Sequence, residues 1–320
     1  MSADGPLDEA GGPPASPGGE PTRAGYAALL GLPNVGKSTL LNAFLGTKLS
    51  IVTPKAQTTW QRVTGIRTTA RAQTIFLDTP GLLEARDLLQ RSMLESAHEA
   101  LAEADVVVLV LDATRPADPS GDRPVQEALD RRAAPLLVAV NKVDEARPEA
   151  VAELVARVEA ESGGEAFPVS ALEGEGVDEL AAAIEEALPV SPFLYPPDDL
   201  ASQPVRFFLA ELVRETVFED FREEIPYSVF CRVEDMREDQ DPVYVQATLY
   251  VERPSQKGIL IGERGSAIKA LGTRSRRKME HFLGRSVYLD LWVKPLPGWR
   301  RKRRPLARLG FHVPEEHDQR

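Results

Sequence analysis

The chain of 320 residues has one cysteine, Cys231, and lacks any apolar run long enough to cross a bilayer. A single cysteine excludes an internal disulfide framework and a cysteine-based zinc cluster, and it fits a reducing compartment. Residues 1–22, rich in Gly, Pro, Ala and acidic side chains, lack both the apolar core of a secretory signal and the arginine-rich pattern of an organellar one. We therefore expect a soluble, cytoplasmic protein with a disordered tail over residues 1–22.

The charges are unevenly spread along the chain. The formal net charge is −11, yet residues 253–308 carry 16 Lys and Arg against three Asp and Glu, so the remainder is strongly acidic. Because the acidic part would repel a polyanion, we expect any polyanionic partner to bind within residues 253–308.

Five prolines between Pro189 and Pro204 interrupt helix and sheet alike and predict a linker over residues 191–204. Before the linker, apolar runs alternate with helical spacing. The predicted strands are 26–30, 62–67, 73–77, 105–111, 135–140 and 166–169, and the predicted helices are 37–45, 87–103, 122–132, 148–162 and 176–187. This alternation predicts an α/β domain over residues 23–190 with a mainly parallel sheet and helices on both faces.

The pattern of residues after the linker predicts a second, α+β domain over residues 205–312, followed by a tail over 313–320. Its predicted elements are a helix at 205–220, strands at 227–235 and 243–252, a strand-like apolar run at 259–261, a helix at 266–283 and a strand at 287–293.

The segment 31–38 reads Gly-Leu-Pro-Asn-Val-Gly-Lys-Ser and fits the phosphate-loop pattern G-x-x-x-x-G-K-[ST]. Its glycines let backbone N–H groups converge on phosphate oxygens, Lys37 reaches the outer phosphates, and Ser38 offers a hydroxyl to Mg²⁺. The predicted strand before it and helix after it would put the phosphates at a helix N-terminus. This context disfavours the alternative, a Gly-rich turn that happens to carry Lys and Ser.

A second motif, Asn141-Lys142-Val143-Asp144, follows the apolar run 136–140, where open parallel sheets present ligand-binding loops. The Asp144 carboxylate can accept hydrogen bonds from the ring N–H and the exocyclic amine of guanine, a pair that adenine does not offer. Such a mismatch can reject the wrong base by factors on the order of 10⁴. Alone, the tetrapeptide is also an ordinary polar turn. Combined with the phosphate loop, it predicts binding of GTP.

Two further loops follow predicted strands. In Asp78-Thr79-Pro80-Gly81, Asp78 can hold Mg²⁺ through water and the Gly81 N–H can meet a γ-phosphate oxygen, although a plain turn has the same composition. Ser170-Ala171-Leu172 stands where a loop would touch the base.

The stretch Gly262-Glu263-Arg264-Gly265 precedes the predicted helix 266–283. In a KH module, a Gly-x-x-Gly loop clamps a single-stranded RNA backbone, and the following helix adds N–H donors. That helix carries Lys269, Arg274, Arg276, Arg277 and Lys278. The alternative for these charges is a solvated face. The run 299–304 extends the positive field and includes an aromatic side chain able to stack on a base, although polybasic segments also contact anionic lipid.

Together these motifs make residues 24–312 resemble the Era family of bacterial GTPases, in the TrmE–Era–EngA group. Two further stretches support the resemblance, Lys55-Ala56-Gln57-Thr58-Thr59 and Pro226-Tyr227-Ser228. It implies a P-loop GTPase domain followed by a KH-type RNA-binding domain. It also implies Mg²⁺-dependent GTP hydrolysis coupled to binding near the 3′ end of small-subunit (16S) ribosomal RNA during 30S maturation. Family members are often peripheral at the inner membrane, and we take a monomer as the default.

The resemblance assigns roles to individual residues. Thr59 matches the switch threonine that coordinates Mg²⁺ in the triphosphate state, with Thr58 as the second candidate. Leu82 stands where many GTPases have a glutamine that positions the attacking water, and leucine cannot orient water. We hypothesise that Asn34 instead helps to bind K⁺, whose charge would stabilise the transition state.

This chain departs from the family pattern at two places. Trp60-Gln61 stands where many Era proteins have Arg-His, and Glu263 puts a negative charge inside the RNA-clamping loop. The first departure concerns the details of the switch loop, and the second would either weaken the contact with phosphate or change the choice of RNA.

The predicted sites gather these residues. The predicted nucleotide contacts are Gly31, Asn34, Val35, Gly36, Lys37, Ser38, Thr39, Asp78, Gly81, Asn141, Lys142, Asp144, Ser170 and Ala171. The residues predicted to act in catalysis are Asn34, Lys37, Thr59 and Gly81, and those predicted to hold Mg²⁺ are Ser38, Thr59 and Asp78. The predicted RNA contacts are Gly262, Glu263, Arg264, Gly265, Lys269, Arg274 and Arg277.

We expect GTP and Mg²⁺ to order residues 48–60 and 81–90 and so to change how the acidic domain sits against the basic one. Two other classes of protein compete with this prediction. A GTPase of tRNA modification would share the first domain but not the KH-like unit, and an RNA-binding protein with a silent nucleotide fold would need a damaged site.

Overall fold

The structure is a computed structural model that describes residues 21–55, 57–115 and 123–314. The tails predicted at 1–22 and 313–320 lie mostly outside the described residues, as does the first residue of the helix predicted at 122–132. Among the residues described, no helix is both long and apolar enough to span a membrane.

The first sheet has six strands in the order β2-β3-β1-β4-β5-β6. The strands are β1 Arg23–Leu30, β2 Val63–Thr68, β3 Ala72–Asp78, β4 Val106–Asp112, β5 Leu136–Asn141 and β6 Glu165–Val169. All neighbours pair in parallel except β2, which runs antiparallel to β3. The mainly parallel sheet predicted from the sequence is therefore confirmed.

Helices cover both faces of this sheet. They are α1 Lys37–Leu45, α2 Leu88–Glu103, α3 Arg123–Asp130, α4 Pro148–Ser162 and α5 Val177–Ala187. Side chains of β4 alternate between two cores: Val108 packs with α1 and α5, whereas Val107 and Leu109 pack with α2, α3 and α4. This alternation explains why the strand reads as a continuous apolar run, since both of its faces are buried.

The second unit combines a three-stranded sheet with helices. Its elements are α6 Val205–Asp220, α7 Ile225–Ser228, β7 Val229–Arg237, β8 Val243–Val251, α8 Pro254–Ile261, α9 Ser266–Leu283, β9 Val287–Pro295 and α10 Arg303–Arg308. The strand order is β7-β8-β9, with β7 antiparallel and β9 parallel to β8. The helices α6, α8 and α9 pack on one face of the sheet, and their residues form one apolar core with it.

One predicted element was wrong. The apolar run 259–261, expected to be strand-like, is the last turn of α8, which begins with Pro254 in its first turn. Three apolar residues cannot distinguish a strand from a buried helical turn, and only Leu260 of the three is buried.

The predicted linker packs along the first domain. Ala201 forms an isolated bridge with Gly65, the Ile66 N–H donates to the Leu200 carbonyl at 2.9 Å, and the Gln203 side chain accepts from the Thr64 N–H at 3.1 Å. The segment therefore covers the exposed edge of β2 and satisfies its backbone groups.

An interdomain cluster of apolar side chains joins the two units. Its buried members are Trp60, Leu88, Leu89, Met93, Phe230, Trp299, Leu306, Leu309 and Phe311. The first four belong to the first domain, and the others belong to the second.

Trp299 corrects a prediction. The sequence makes it an aromatic side chain able to stack on a base, but it is fully buried in the interdomain cluster, where it packs against Trp60 with 5.7 Å between the ring centroids. Its indole N–H faces the Ser228 carbonyl at 3.3 Å. The run of cations that follows it in the sequence obscured its apolar role.

We expect Trp299→Ala to lower the free energy of unfolding by about 3–5 kcal/mol, because it opens a cavity among packed side chains. The matched control is Trp292→Ala, since Trp292 is 52% exposed and its loss should change stability by less than about 0.5 kcal/mol. Urea unfolding of the three proteins measures both values. Equal losses would contradict the assignment of Trp299 to a joint core.

Candidate functional site

The phosphate loop lies between β1 and α1, at the carboxyl edge of the sheet. Gly31 and Gly36 have φ values of 144° and 99°, and a Cβ on Gly36 would lie 2.2 Å from the Asn141 amide nitrogen. Only glycine fits such positions without strain. The loop therefore approaches its neighbours closely and aims the N-terminus of α1 into the adjoining cleft.

Lys37 is buried at the base of this loop. Its ammonium donates to the carbonyls of Gly31 and Leu32 at 3.1 and 2.9 Å. Burial lowers the pKa of Lys37 to about 8, against the attraction of Asp78, which raises it. The loop thus holds a cation ready for an anionic ligand.

The three predicted magnesium ligands meet directly. The Ser38 hydroxyl donates to Asp78 Oδ2 at 2.7 Å and lies 3.0 Å from the Thr59 hydroxyl. Ser50, which the sequence analysis missed, also donates to Asp78 Oδ2, at 3.1 Å. Burial raises the pKa of the fully buried Asp78, although hydrogen bonds from Ser38 and Ser50 and the charge of Lys37 oppose the shift.

The chemistry of this cluster fits Mg²⁺. The second oxygen of Asp78, Oδ1, is buried and has no hydrogen-bond partner within the described parts of the chain. Two hydroxyls stand beside the carboxylate, and oxygen atoms are the ligands that Mg²⁺ prefers. A cation or its water would therefore satisfy the orphaned oxygen.

Gly81 belongs to the same cleft. Asn34, Lys37, Ser38, Thr59 and Gly81 all line it. A Cβ on Gly81 would lie 2.7 Å from the backbone of the phosphate loop at Pro33, so the loop after β3 rests directly on the phosphate loop.

Leu82 points away from this cleft. It is 1% exposed and packs in the core under α2, while its N–H donates to the Gly31 carbonyl at 3.0 Å. The apolar side chain is therefore used for packing, and it offers no group to the cleft.

Asn141 ties two loops together. Its amide nitrogen donates to the Val35 carbonyl at 2.8 Å, and its oxygen accepts from the Ala171 N–H at 2.9 Å. Ser170 is fully buried beside it, and its hydroxyl accepts from the Glu173 N–H. In this conformation, Asn141 fixes the phosphate loop relative to the loop at Ser170 and Ala171.

Asp112, at the end of β4, is a site residue that the sequence analysis missed. It accepts from the Lys142 ammonium at 2.6 Å and from both the N–H and the hydroxyl of Thr114. Burial raises the pKa of the Asp112 carboxyl, but these hydrogen bonds outweigh it and lower the pKa. Its position beside the end of β5 was the available signal. Asp144 is exposed on the adjoining 3-10 turn, Val143–Glu145.

The Gly-x-x-Gly loop connects α8 to α9, the helix that lines a groove with β9. Gly262 and Gly265 have φ values of 71° and 81°, and a Cβ on Gly262 would lie 2.7 Å from the Ala267 Cβ. Glu263 and Arg264 are exposed on the loop. The groove itself is lined by Lys269 and other residues of α9, including Arg276, and by Tyr288 and Leu289 of β9.

Two predicted RNA contacts lie elsewhere on α9. Arg274 pairs with Glu219 and Asp220 at the end of α6. Arg277 lines a different pocket, between the domains, together with Lys48 and Phe282. These two positions therefore face away from the groove, whereas Arg276, left out of the predicted contacts, lines it while pairing with Glu280 at 3.0 Å.

The basic C-terminal run divides between two roles. Arg300 pairs with Asp87, the N-cap residue of α2, at 2.6 Å, and its carbonyl accepts from the Leu89 N–H. Residues 301–304 are exposed. One cation therefore holds the first domain, and the next four present their charge to solvent.

Comparison with protein families divides the chain in the same way. Residues 26–142 match the model of the 50S ribosome-binding GTPases, and residues 224–300 match the KH domain.

Curated relatives extend over nearly the whole chain. GTPase Era from Nitratidesulfovibrio vulgaris is 43% identical over 287 residues, which cover 87% of this chain and 93% of that protein. GTPase Era from Leuconostoc citreum is 40% identical over 293 residues, which cover 91% and 97%.

Solved structures agree with the sequence relatives. Era in complex with MgGDPNP and nucleotides 1506–1542 of 16S ribosomal RNA superposes with a TM-score of 0.85 at 39% identity, covering 91% of this chain and all of that one. An Aquifex aeolicus Era variant bound to GDP and AlF4⁻ gives a TM-score of 0.84 at 39% identity with the same coverage. Identity at this level over both domains shows that the chain belongs to the Era family of GTPases.

Proposed function

We propose that this GTPase binds the 3′ region of small-subunit (16S) ribosomal RNA through its KH domain and assists maturation of the 30S subunit. The observation that carries the proposal is the presence, in one chain, of an oxygen cluster at Asp78 and of a Gly-x-x-Gly loop followed by α9, whose Lys269 and Arg276 line a groove. A structural neighbour with the same two domains holds both MgGDPNP and a 16S RNA segment.

The nucleotide is GTP, with its phosphates on the loop 31–38 and Mg²⁺ at Ser38, Thr59 and Asp78. When bound, Mg²⁺ would neutralise charge on the β- and γ-phosphates. Lys37 would exchange the carbonyls it now contacts for phosphate oxygens, and the Gly81 N–H would hold the γ-phosphate. The exposed Asp144 carboxylate would accept from guanine, with Asn141, Lys142, Ser170 and Ala171 shaping the pocket for the base.

Hydrolysis would be transmitted through residues 48–60 and 81–90. Both segments touch the second domain: Lys48 pairs with Glu215 at 2.7 Å, and Asp87 pairs with Arg300. A nucleotide that orders or releases these segments would therefore change the seating of the KH domain. We divide the chain into a GTPase domain at 23–190, a linker at 191–204 and a KH domain at 205–312. The family matches at 26–142 and 224–300 support this division.

The KH domain favours ribosomal RNA over tRNA modification, because a protein of the latter class would not need this groove. An intact site at Lys37, Ser38 and Asp78 disfavours a silent nucleotide fold. A role in maturation of the 30S subunit implies a cytoplasmic location. The exposed charges at 301–304 would suit peripheral contact with anionic lipid at the inner membrane. We retain the monomer as the working state.

Potassium would supply positive charge to the transition state at a site where Leu82 cannot orient the attacking water. Asn34 lines the cleft, has a φ of 70° and donates to the Pro54 carbonyl at 3.0 Å. Its side-chain oxygen accepts no hydrogen bond within the described parts of the chain, which leaves it for a cation. We expect GTP hydrolysis in potassium buffer to exceed that in sodium buffer of equal ionic strength by a factor on the order of 10². Asn34→Ala should remove most of this difference. Equal rates of the unaltered protein in the two buffers would rule out the potassium role.

The central test is binding to a short RNA that copies the 3′ end of 16S RNA, beside a scrambled RNA of equal length. We expect tighter binding to the first RNA than to the scrambled one. We also expect tighter binding with a non-hydrolysable GTP analogue than with GDP, because the triphosphate would change how the KH domain packs against the GTPase domain. Affinities measured at fixed salt decide both points. Equal affinity for both RNAs would mean that the protein binds RNA through charge alone, without selecting the 3′ end of 16S RNA.

Lysine substitutions locate the RNA. Lys269→Gln removes a charge from the groove, whereas Lys302→Gln removes the same charge from the exposed C-terminal run. The slope of log affinity against log salt should become shallower by about 0.7 for Lys269→Gln, the value for one phosphate contact on a single strand. Lys302→Gln should leave the slope unchanged. The reverse pattern would move the RNA to the C-terminal run.

A further inference from the structure

Arg214, on α6 of the second domain, reaches into the switch loop of the first. It is 1% exposed, and one of its terminal nitrogens donates to the Thr58 carbonyl at 2.9 Å. Thr58 directly precedes Thr59, the residue whose hydroxyl lies 3.0 Å from that of Ser38. The contact therefore acts on the backbone next to the magnesium cluster.

The same guanidinium also holds the residue after Thr59. Its central carbon lies 4.1 Å from the centroid of the Trp60 ring, a cation–π contact shielded from water because Trp60 is itself buried. The Trp60 indole N–H donates to the Gln57 carbonyl at 2.9 Å, which fixes the ring against the loop. Thr59 is thus held from both sides by one side chain of the other domain.

Arg214 is itself rigidly placed. Its other terminal nitrogen donates to both oxygens of Glu211, at 2.6 and 2.8 Å. A planar guanidinium can serve a carboxylate, a carbonyl and an aromatic face at once, which a lysine ammonium cannot do in this geometry. Its orientation is therefore set before any ligand arrives.

Other groups of α6 secure the rest of the loop. Glu215 is 1% exposed, pairs with Lys48 and accepts from the Val52 N–H at 3.4 Å. Lys55 donates to the carbonyls of Phe218 and Phe221 at the C-terminal end of the helix. The loop thus runs along α6 and is attached to it at several points, with Arg214 nearest to Thr59.

We propose that Arg214 is a positioning residue for GTP hydrolysis, supplied to the GTPase site by the KH domain. By holding Thr58 and Trp60, it places the Thr59 hydroxyl at the cluster and reduces the entropy lost when the triphosphate orders the loop. The inference rests on the proposed role of Thr59 in the triphosphate state. GDP, which does not need Thr59, should bind independently of Arg214.

The test variant combines Glu211→Gln with Arg214→Met, because Arg214→Met alone would leave the Glu211 carboxylate buried without its partner. Glu211→Gln alone is the control for loss of the ion pair, since its amide oxygen still accepts from Arg214 and the bond from Arg214 to Thr58 is kept. Affinities for a non-hydrolysable GTP analogue and for GDP are measured across a Mg²⁺ titration, together with kcat and thermal unfolding. Ser92→Ala, which loses a hydrogen bond to the His312 carbonyl, controls for looser docking of the domains.

We expect the double variant to bind the GTP analogue roughly tenfold more weakly, the effect of one lost hydrogen bond to a charged group, and to need more Mg²⁺. Its GDP affinity should stay within about twofold of the unaltered protein. Equal losses for both nucleotides, or no loss, would overturn the proposal. Loss in the Ser92→Ala protein as well would also overturn it, because docking alone would then explain the effect.

Thr59→Ala separates the two levels of the proposal. If Thr59→Ala selectively weakens binding of the GTP analogue and the double variant does not, the proposed role of Arg214 is wrong. If Thr59→Ala has no selective effect, the assigned role of Thr59 is wrong, and the positioning role falls with it. Should the double variant fail to fold, Arg214→Lys keeps the pair with Glu211, and a selective loss in that protein supports the proposal on the same measurements.

Discussion

The structure depends on one cluster of charge, in which the Asp78 carboxylate and the Lys37 ammonium are both buried. Burial pushes each toward its neutral form, raising the pKa of Asp78 and lowering that of Lys37, while their mutual attraction opposes both shifts. Hydroxyls and loop carbonyls supply the remaining hydrogen bonds. Such a cluster is costly to maintain unless a ligand with the complementary charges arrives, as Mg²⁺ and a triphosphate would.

The cluster is assembled from segments far apart in the chain, so its geometry depends on what holds those segments. Asn141 links the phosphate loop to the loop that would touch the base. The switch loop, by contrast, receives much of its support from α6 of the second domain, through buried Arg214 and Glu215. The two domains are therefore not independent modules on a tether. A nucleotide that changed the conformation of the switch loop would alter a surface on which the KH domain rests.

Much of the fold was predictable because the periodicity was strong. The helices at 37–45, 148–162 and 266–283 have the predicted bounds, and the phosphate-loop glycines mark a backbone that only glycine adopts. Prediction failed where a residue's neighbours in space differ from its neighbours in sequence. Trp299 stands among exposed cations in the sequence but lies in a joint apolar core. Arg274 belongs to the basic helix but faces the acidic end of α6 instead of the groove.

The sequence by itself determined the nature of the ligand and the order of the domains, because phosphate loops, base-reading motifs and Gly-x-x-Gly loops need particular residue types at fixed local spacing. It also identified Ser38, Thr59 and Asp78 as candidates to act together. Only the tertiary structure decided how their oxygens meet, that Ser50 and a guanidinium from the other domain support them, and that Asp112 pairs with Lys142. These contacts join residues up to 156 positions apart. Their pairing depends on the packing of two sheets and the helices between them, which no local pattern records.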